Sequence, residues 1–306
     1  MSKFSDIVHR SIRLSGLSGV PVWMSKYTDL AIPFIPLNHH FRADDLVFVE
    51  RDHARFAVNR SDYMQWHLWS NLVEDNWKHC AERYREGSAI IDVGANIGAF
   101  SLKIASLLKD RMGETGRVIA VEPNPNIVKT LRSQIEANPE IASRIDVWDV
   151  AMGDYDGTIH FQVDQSNTGG GRVTSDRTDH AISVPVGRLD DLVVKRNVTN
   201  VGILKIDVEG FEQEVLRGAS AVIERDRPVL YLEVTDVWLK SRGHSAYGML
   251  RQLADEYGYR FLRDQGRELQ PLTVTQAEIQ AIFDHEIQIN VIGLPPEVTM
   301  PDNGES

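Results

Sequence analysis

The sequence predicts an α/β fold in which helices cover both faces of a mainly parallel β-sheet. From Ala89 onward, short β-branched runs alternate with segments whose apolar residues recur every three or four positions. This alternation is typical of βαβ units, which bring parallel strands side by side. Acidic residues follow several of the apolar runs, at the edge of the sheet where ligands of such folds bind.

The expected elements follow from apolar patterning and turn residues. Seven runs predict the strands of the main sheet, and the polar-faced segments between them predict helices. The strands are expected at 89–93, 117–123, 145–152, 201–210, 228–234, 259–264 and 287–294. Helices are expected at 98–109, around Ile127, Leu131 and Ile135, and at 211–224 and 245–258. Between the third and fourth strands, 158–163 and 182–187 flank a glycine-rich loop, which predicts an inserted β-arm over about 157–188.

The region before this pattern is expected to form an N-terminal cap or lid over residues 1–85. Residues 46–58 predict a hairpin, and the aromatic-rich segment 61–85 predicts a helix. Residues 86–297 are expected to form the main domain, and residues 298–306 a flexible tail.

Composition limits the function classes. The 306 residues are 42% hydrophobic and 25% charged, which allows a large core. The net charge of −11 argues against nucleic acid or an anionic membrane as the main partner, because both require a basic surface. The single cysteine, Cys80, excludes a disulfide framework within the chain. Without an apolar run of roughly 20 residues, the protein is expected to be cytoplasmic.

The stretch AIIDVGANIGAF (89–100) predicts a cofactor-binding turn. A phosphate-binding P-loop would end in Gly-Lys-Ser/Thr, which is absent, and the dinucleotide fingerprint G-x-G-x-x-G is not matched. S-adenosylmethionine has a positive amino group and a positive sulfonium and no phosphate, so it suits an acid such as Asp92 beside the turn. Glu122 ends the next strand and is placed to accept ribose hydroxyls. The alternative is a glycine turn with a capping Asp and no ligand.

Several segments resemble the FkbM family of S-adenosylmethionine-dependent methyltransferases. They are IIDVGANIGAFSL, VIAVEPNP, VGRLDDL, ILKIDVEGFEQEVLRGA and PVLYLEV, in this order, within roughly residues 70–295. The resemblance implies a class I methyltransferase fold, with a seven-stranded sheet whose last strand is reversed. It also implies O-methylation of sugars, polyketides or other secondary metabolites.

The resemblance also assigns residues to the cofactor. It implies that Asp92, Gly94, Asn96 and Gly98 line the methionine end, and that Glu122 holds ribose. By the same resemblance Asn124 contacts the adenosine, and Asp149 and Ala151 lie near adenine. Glu74 corresponds to an acid that precedes the first strand in this family.

Candidate catalytic residues follow the fourth strand, where Lys205, Asp207 and Glu209 alternate and are expected to share one face. One hypothesis makes Asp207 or Glu209 the general base, with Lys205 tuning it. A second has Asp207, Glu233 and Asp236 hold Mg²⁺ against the acceptor hydroxyl. The third is a structural ion-pair network without direct chemistry.

Acceptor-binding residues are expected in two places. The loop SNTGGGRV (166–173) predicts a flap, with Asn167 and Arg172 touching the acceptor, unless it is only a hairpin turn. Trp66 and His67 could stack on the acceptor, although such a stripe is often the packing face of a helix. Glu74 and Glu233 complete the substrate-binding set.

The sequence predicts transfer of a methyl group to a hydroxyl of a small molecule or glycan. N-methylation by the same fold and NAD-dependent dehydrogenation are the rival activities. A homodimer is expected if the β-arm exchanges between subunits.

Overall fold

The computed structural model describes residues 36–43, 45–71, 77–163, 171–174, 181–265 and 268–300. The chain divides into two compact units, which are treated separately. The smaller unit comprises Met1–Glu74 with Asp164–Gly170, and the larger comprises Asp75–Val163 with Gly171–Ser306. None of the helices in the described ranges is both long and apolar enough to cross a membrane.

The described part of the smaller unit is a hairpin followed by a helix. Strands β1 (Leu46–Arg51) and β2 (Ala54–Asn59) pair in antiparallel register. Both turn residues between them, Asp52 and His53, have positive φ, which matches the right-handed twist of a tight hairpin. The predicted hairpin is therefore confirmed. Helix α1 (Tyr63–Ser70) follows, capped by the Asp62 carboxylate.

The prediction of one continuous helix over 61–85 is wrong. Asn71 ends α1 in the left-handed conformation, with φ 62°, and a second helix runs over Trp77–Glu82 in the larger unit. A residue with positive φ cannot continue a right-handed helix, so the aromatic pattern spans two helices.

The larger unit contains two sheets and most of the helices. Its strands are β3 (Ala89–Val93), β4 (Arg117–Val121), β5 (Ile145–Trp148), β6 (Ala151–Met152), β7 (Gly157–Gln162), β8 (Arg172–Thr174), β9 (Ala181–Gly187), β10 (Val201–Ile206), β11 (Val229–Val234), β12 (Arg260–Asp264), β13 (Leu269–Leu272) and β14 (Ile289–Leu294). Its helices are α2 (Trp77–Glu82), α3 (Ala99–Leu108), α4 (Pro125–Glu136), α5 (Pro139–Ala142), α6 (Leu189–Lys195), α7 (Glu212–Gly218), α8 (Ser220–Asp226), α9 (Asp236–Ser241), α10 (Ala246–Tyr257) and α11 (Gln276–Phe283).

The central sheet has the strand order β13-β12-β14-β11-β10-β3-β4-β5. Strands β5, β4, β3, β10 and β11 are parallel, and β14 runs antiparallel to β11 and β12. This mainly parallel sheet with a reversed last strand confirms the predicted fold class. Within the described residues the central sheet has eight strands rather than seven, because the short segment LQPL pairs at the edge as β13. Proline is tolerated on such an edge strand. The strand predicted over 145–152 is too long, since β5 ends at Trp148 and Ala151–Met152 pair with β9 in the second sheet.

The segment between β5 and β10 forms a separate sheet with the order β6-β9-β7-β8. Strands β7 and β9 pair in antiparallel register from Gly157↔Val186 to Gln162↔Ala181, and β8 extends the pair. The expected β-arm thus consists of real strands, one of which carries Arg172.

The two middle strands of the central sheet, β3 and β10, are buried. Every residue of β3 and of β10 is buried, and most of them are Ile, Val or Leu. Two are ionisable, Asp92 and Lys205, and they are direct register partners on adjacent strands. The sheet therefore carries a charge pair inside its hydrophobic core.

Two loops cross closely at the carboxyl end of this pair of strands. The amide of Asp207 donates to the carbonyl of Val93, and a Cβ placed on Gly94 would lie 1.8 Å from the carbonyl oxygen of Asp207. Gly94 also has φ +84°. Here glycine is required by the protein's own backbone.

We expect Gly94→Ala to destabilise the fold far more than Gly243→Ala. Both glycines have a φ near +80°, but nothing lies within 4 Å of a Cβ at Gly243. The control should cost about 1–2 kcal/mol for the left-handed conformation alone. Gly94→Ala should cost at least roughly 2 kcal/mol more, because a backbone must move. Urea unfolding of both variants measures the difference, and equal losses would contradict the crossing.

Candidate functional site

Carboxylates gather at the carboxyl ends of four neighbouring strands. The order β4-β3-β10-β11 places Glu122, Asp92, Asp207 and Glu233 at or just beyond adjacent strand ends. In parallel sheets this edge is where ligands bind. The two predicted groups, cofactor acids and catalytic acids, are thus brought to one edge of the central sheet.

Lys205 joins two of these acids. Its Nζ lies 3.0 Å from Oδ1 of Asp92 and 3.1 Å from Oδ2 of Asp207. The second oxygen of Asp92 accepts a 2.6 Å hydrogen bond from the Ser101 hydroxyl, and Asp92 is fully buried. Burial alone would lower the pKa of Lys205, but the charges of Asp207 and Asp92 raise it above its ordinary value, so the ammonium stays charged.

These contacts make Asp92 a residue that supports the site from inside the protein. Both of its oxygens are engaged and none of its surface is exposed, so in this structure it offers no face to a ligand. Asp207 is the outer acid of the bridge, with 31% of its side chain exposed. The negative charge that a cofactor would meet is therefore that of Asp207 more than that of Asp92.

Glu122 is held by backbone amides of two turns. Its Oε2 accepts from the amide of Asn96 at 3.0 Å, and its Oε1 accepts from the amide of Asn124 at 2.9 Å. Burial raises the pKa of Glu122 to about 7, although both amide hydrogen bonds favour the ionised form. Each oxygen retains a second lone pair, so the carboxylate can still accept hydroxyl donors.

The turn after β3 is shaped mainly by contacts within the protein. Asn96 has φ 51°, and its side chain accepts from the amide of Ile97. A Cβ on Gly98 would lie 2.4 Å from Leu102 and 2.6 Å from Leu131, so this glycine lets α3 and α4 approach each other. The turn is compact and directs the amide of Asn96 at Glu122.

Glu209 lies in the loop after β10, next to Asp207. The strand ends at Ile206, and Glu209 adopts φ 51°. The period-two alternation therefore holds for Lys205 and Asp207, which meet, and is wrong for Glu209, which leaves the extended conformation. Burial and the charge of Asp207 raise the pKa of Glu209 to about 7, while Arg172 opposes the shift.

Two further carboxyl groups face the same loop. Glu212 at the start of α7 is 1% exposed. Its Oε1 accepts from the amide of Gly210, and its buried Oε2 has no hydrogen-bond partner among the described residues. Burial raises the pKa of Glu212 to about 7, and Asp207 and Glu209 add to the shift. The pKa of Glu233 is raised well above its ordinary value by burial and by Asp207. Several carboxyl groups thus repel one another around Asp207.

Arg172 and Trp238 flank the loop. The Cζ of Arg172 lies 4.6 Å from the centroid of the Trp238 ring. Trp238 in turn packs on the loop, because a Cβ on Gly210 would be 2.7 Å from the Cβ of Trp238. The arm strand β8 and helix α9 therefore meet beside Glu209.

Two of the three acids proposed as magnesium ligands, Asp207 and Glu233, share a side-chain hydrogen bond, but Asp236 is engaged elsewhere. Oδ1 of Asp236 accepts from the amide of Ala246, and Oδ2 lies 2.6 Å from Lys240. Asp236 thus connects α9 to the start of α10, which corrects its assignment as a metal ligand. In the residues that the structure describes, no group of three or more His, Cys, Asp or Glu side chains is arranged to hold a metal ion.

The predicted adenosine contacts have local partners. The Asn124 side chain caps α4 by accepting from the amide of Asn126. Asp149 lies just beyond β5, half exposed, and pairs with Arg132 at 3.0 Å. Ala151 is buried in β6 opposite Val186. These contacts explain the three residues without a ligand, and their role in binding adenosine stays a prediction.

The aromatic acceptor candidates lie in the smaller unit. Trp66 is 4% exposed, and its indole nitrogen donates to the carbonyl of Pro36 at 2.6 Å. His67 packs edge-on between Tyr63 and Trp66, and burial lowers its pKa. Trp66 is thus a core residue, as the packing alternative held. Glu74 and Asn167 lie outside the described residues.

The residue patterns did not identify four contributors. Ser101 closes off Asp92, and Phe100 lies 5.6 Å from Lys205 and stacks on Tyr231. Glu212 and Trp238 line the loop after β10. A serine inside the apolar face of α3 was the one visible signal, since a buried hydroxyl needs a partner.

Comparison with known proteins identifies the family of the chain. A model of the methyltransferase FkbM domain matches residues 92–261. The chain is 31% identical over 183 residues to 31-O-demethyl-FK506 methyltransferase FkbM of Streptomyces tacrolimicus, covering 50% of this chain and 66% of that protein. It is 25% identical over 172 residues to hexuronic acid methyltransferase AglP of Haloferax volcanii, covering 56% of this chain and 66% of AglP.

A solved structure of methyltransferase FkbM from Methylobacillus flagellatus KT is 18% identical, with a TM-score of 0.43 over 73% of this chain and 49% of that one. The chain spans two thirds or less of the length of the curated relatives it matches. The matched domain covers more than half of the sequence and includes all four strand-end acids. The chain therefore belongs to the FkbM methyltransferase family.

Proposed function

We propose that this protein transfers a methyl group from S-adenosylmethionine to a hydroxyl of a small molecule or glycan. The observation that carries the proposal is the carboxylate cluster around Asp207, which follows β10. Glu122 lies at the end of β4, two strands away in the same sheet. A cluster of mutually repelling acids suits a cationic sulfonium and disfavours the pyrophosphate of NAD. This argues against the dehydrogenase alternative.

The described residues fit the donor in two ways. Glu122 has lone pairs left for the ribose hydroxyls after its two amide hydrogen bonds. Asp207, held by Lys205, supplies negative charge where the cationic end would lie. S-adenosylmethionine, when bound, supplies an electrophilic methyl group on sulfur. The protein then has to align an acceptor oxygen with that methyl and remove a proton.

Glu209 is the better of the two candidate bases. A general base works best with a pKa near the working pH, and burial brings the pKa of Glu209 to about 7. Asp207 already binds Lys205 through Oδ2. In this scheme Lys205 fixes Asp207, Asp207 tunes Glu209, and Glu209 accepts the hydroxyl proton.

Methylation at oxygen rather than nitrogen is the finer part of the proposal. One relative, 31-O-demethyl-FK506 methyltransferase FkbM, is named for methylation of a 31-O-demethyl compound. An alcohol needs a base because it is a poor nucleophile, and this site has one placed beside its acidic cluster. Transfer to an amine would need no such group.

Glu122→Ala should weaken the binding of S-adenosylhomocysteine at least tenfold, about 1.4 kcal/mol, because the ribose would lose its acceptor. Calorimetric titration measures this, with NADH as a second ligand that should not bind. Glu140→Ala, which removes an exposed acid from α5, should leave the affinity unchanged. If folded wild-type protein bound NADH and not S-adenosylhomocysteine, the cofactor assignment would fail.

Affinity for S-adenosylhomocysteine should rise about tenfold between pH 6 and pH 8, as a site with a pKa of about 7 becomes ionised. The sign follows from the chemistry: ribose hydroxyls donate to the carboxylate, so binding favours the ionised form and releases a proton. Glu209 and Glu212 titrate in the same range, so the comparison is with Glu122→Gln, which should lose this part of the dependence. An identical pH dependence in Glu122→Gln would exclude Glu122 as its source.

Glu209→Gln should lower methyl transfer by a factor of roughly 100 or more, the usual contribution of a general base. Transfer is measured with methyl-labelled S-adenosylmethionine and an extract of the source organism. The affinity for S-adenosylhomocysteine should stay within about twofold, and Glu140→Gln should behave as wild type. Transfer that survived the change would instead favour an amine acceptor.

A further inference from the structure

Trp238 and Arg172 are placed beside the reacting groups but have no part in the chemistry proposed above. Trp238 is fixed to the loop after β10 through its contact with Gly210, the neighbour of Glu209. Arg172 comes from the arm strand β8 and stacks on the indole at 4.6 Å. Both side chains are partly exposed, so they lie at the surface of the site rather than in its core.

The chemistry of this pair suits recognition of a ring. An indole offers a flat apolar surface to the C–H groups of a ring. A guanidinium that stacks through its face keeps its N–H donors in its own plane, where they can bond to hydroxyl or ether oxygens. Together they provide one apolar and one hydrogen-bonding surface next to Glu209.

The surrounding charge disfavours an anionic ligand here. Asp207, Glu209, Glu212 and Glu233 influence one another electrostatically, and each of the three glutamates has its pKa raised. Lys205 is already bonded to Asp92 and Asp207. The positive charge of Arg172 acts on Glu209. A carboxylate or phosphate on the acceptor would meet the same two penalties that raise these pKa values, loss of water and the charge of Asp207, and at Glu209 these outweigh the opposing charge of Arg172.

We propose that Trp238 and Arg172 form the acceptor subsite, and that it selects an uncharged hydroxylated ring over an anionic one. The inference rests on the proposed function and assigns its acceptor side to named residues. Trp238 holds the guanidinium in place and contacts the ring, and Arg172 donates to its oxygens. The hydroxyl to be methylated then lies toward Glu209.

The test uses an extract of the source organism, separated by ion exchange into uncharged, cationic and anionic fractions. Each fraction is incubated with methyl-labelled S-adenosylmethionine and the full-length protein, and label in the products is counted. Label is expected in the uncharged fraction, and label confined to the anionic or the cationic fraction would overturn the proposed selectivity. A dilution series of the active fraction gives an apparent KM.

Trp238→Ala and Arg172→Gln should each raise this apparent KM at least tenfold, with S-adenosylhomocysteine affinity unchanged within twofold. Trp238→Phe should recover most of the loss, because it keeps an aromatic surface. Arg196→Gln is the matched control, since Arg196 stacks on Trp148 at 4.7 Å and is assigned to no site. An unchanged apparent KM in both variants would overturn the subsite.

Different results would contradict the transfer reaction and the acceptor subsite. If wild-type protein binds S-adenosylhomocysteine but labels no fraction, the transfer reaction itself is contradicted. If label is transferred but is insensitive to Trp238 and Arg172, only the subsite is contradicted. Loss of S-adenosylhomocysteine binding in Trp238→Ala and in Trp238→Phe would show that Trp238 supports the fold or the donor site, which also overturns the assignment.

Discussion

The site depends on one buried ammonium. Lys205 lies in the middle of the central sheet and bonds to Asp92 on the neighbouring strand and to Asp207 beyond its own strand end. Removing one partner of such a buried pair leaves an uncompensated charge, which typically costs about 3–5 kcal/mol. The same contact that neutralises Asp92 in the core thus fixes the position of Asp207 at the surface of the site.

Fixing Asp207 has an electrostatic consequence. The carboxyl groups of Glu122, Glu209, Glu212 and Glu233 all feel its charge, and each is more difficult to ionise as a result. Burial contributes the larger part of each pKa shift. The raised pKa values therefore depend both on exclusion of water from the carboxyl groups and on the negative charge of Asp207. Carboxyl groups with pKa values near neutrality populate both the protonated and the ionised form around pH 7, whereas ordinary surface glutamates are almost fully ionised there.

The sequence was sufficient to predict most strands of the central sheet and most of the acids at its edge. Buried strands and the residues that end them can be recognised from a local residue pattern. Asp92, Glu122, Asp207 and Glu233 were found in this way. It could not show that Ser101 and Lys205 would occupy both oxygens of Asp92, because these partners come from other elements. Trp238 was missed for the same reason: its neighbours, Gly210 and Arg172, are distant in sequence. Period two also failed at Glu209, where a positive φ ends the alternation.

The crossing of the loops at Gly94 restricts how this protein can diverge. With the carbonyl of Asp207 filling the space that a side chain would need, the turn after β3 and the loop after β10 are interlocked, so a change in one requires a matching change in the other. Natural variation that redirects the enzyme to a new acceptor therefore has to arise outside this crossing. Helix α9 packs against Gly210 in the same loop, whereas the arm strand β8 lies in a separate sheet and can vary without disturbing the crossing.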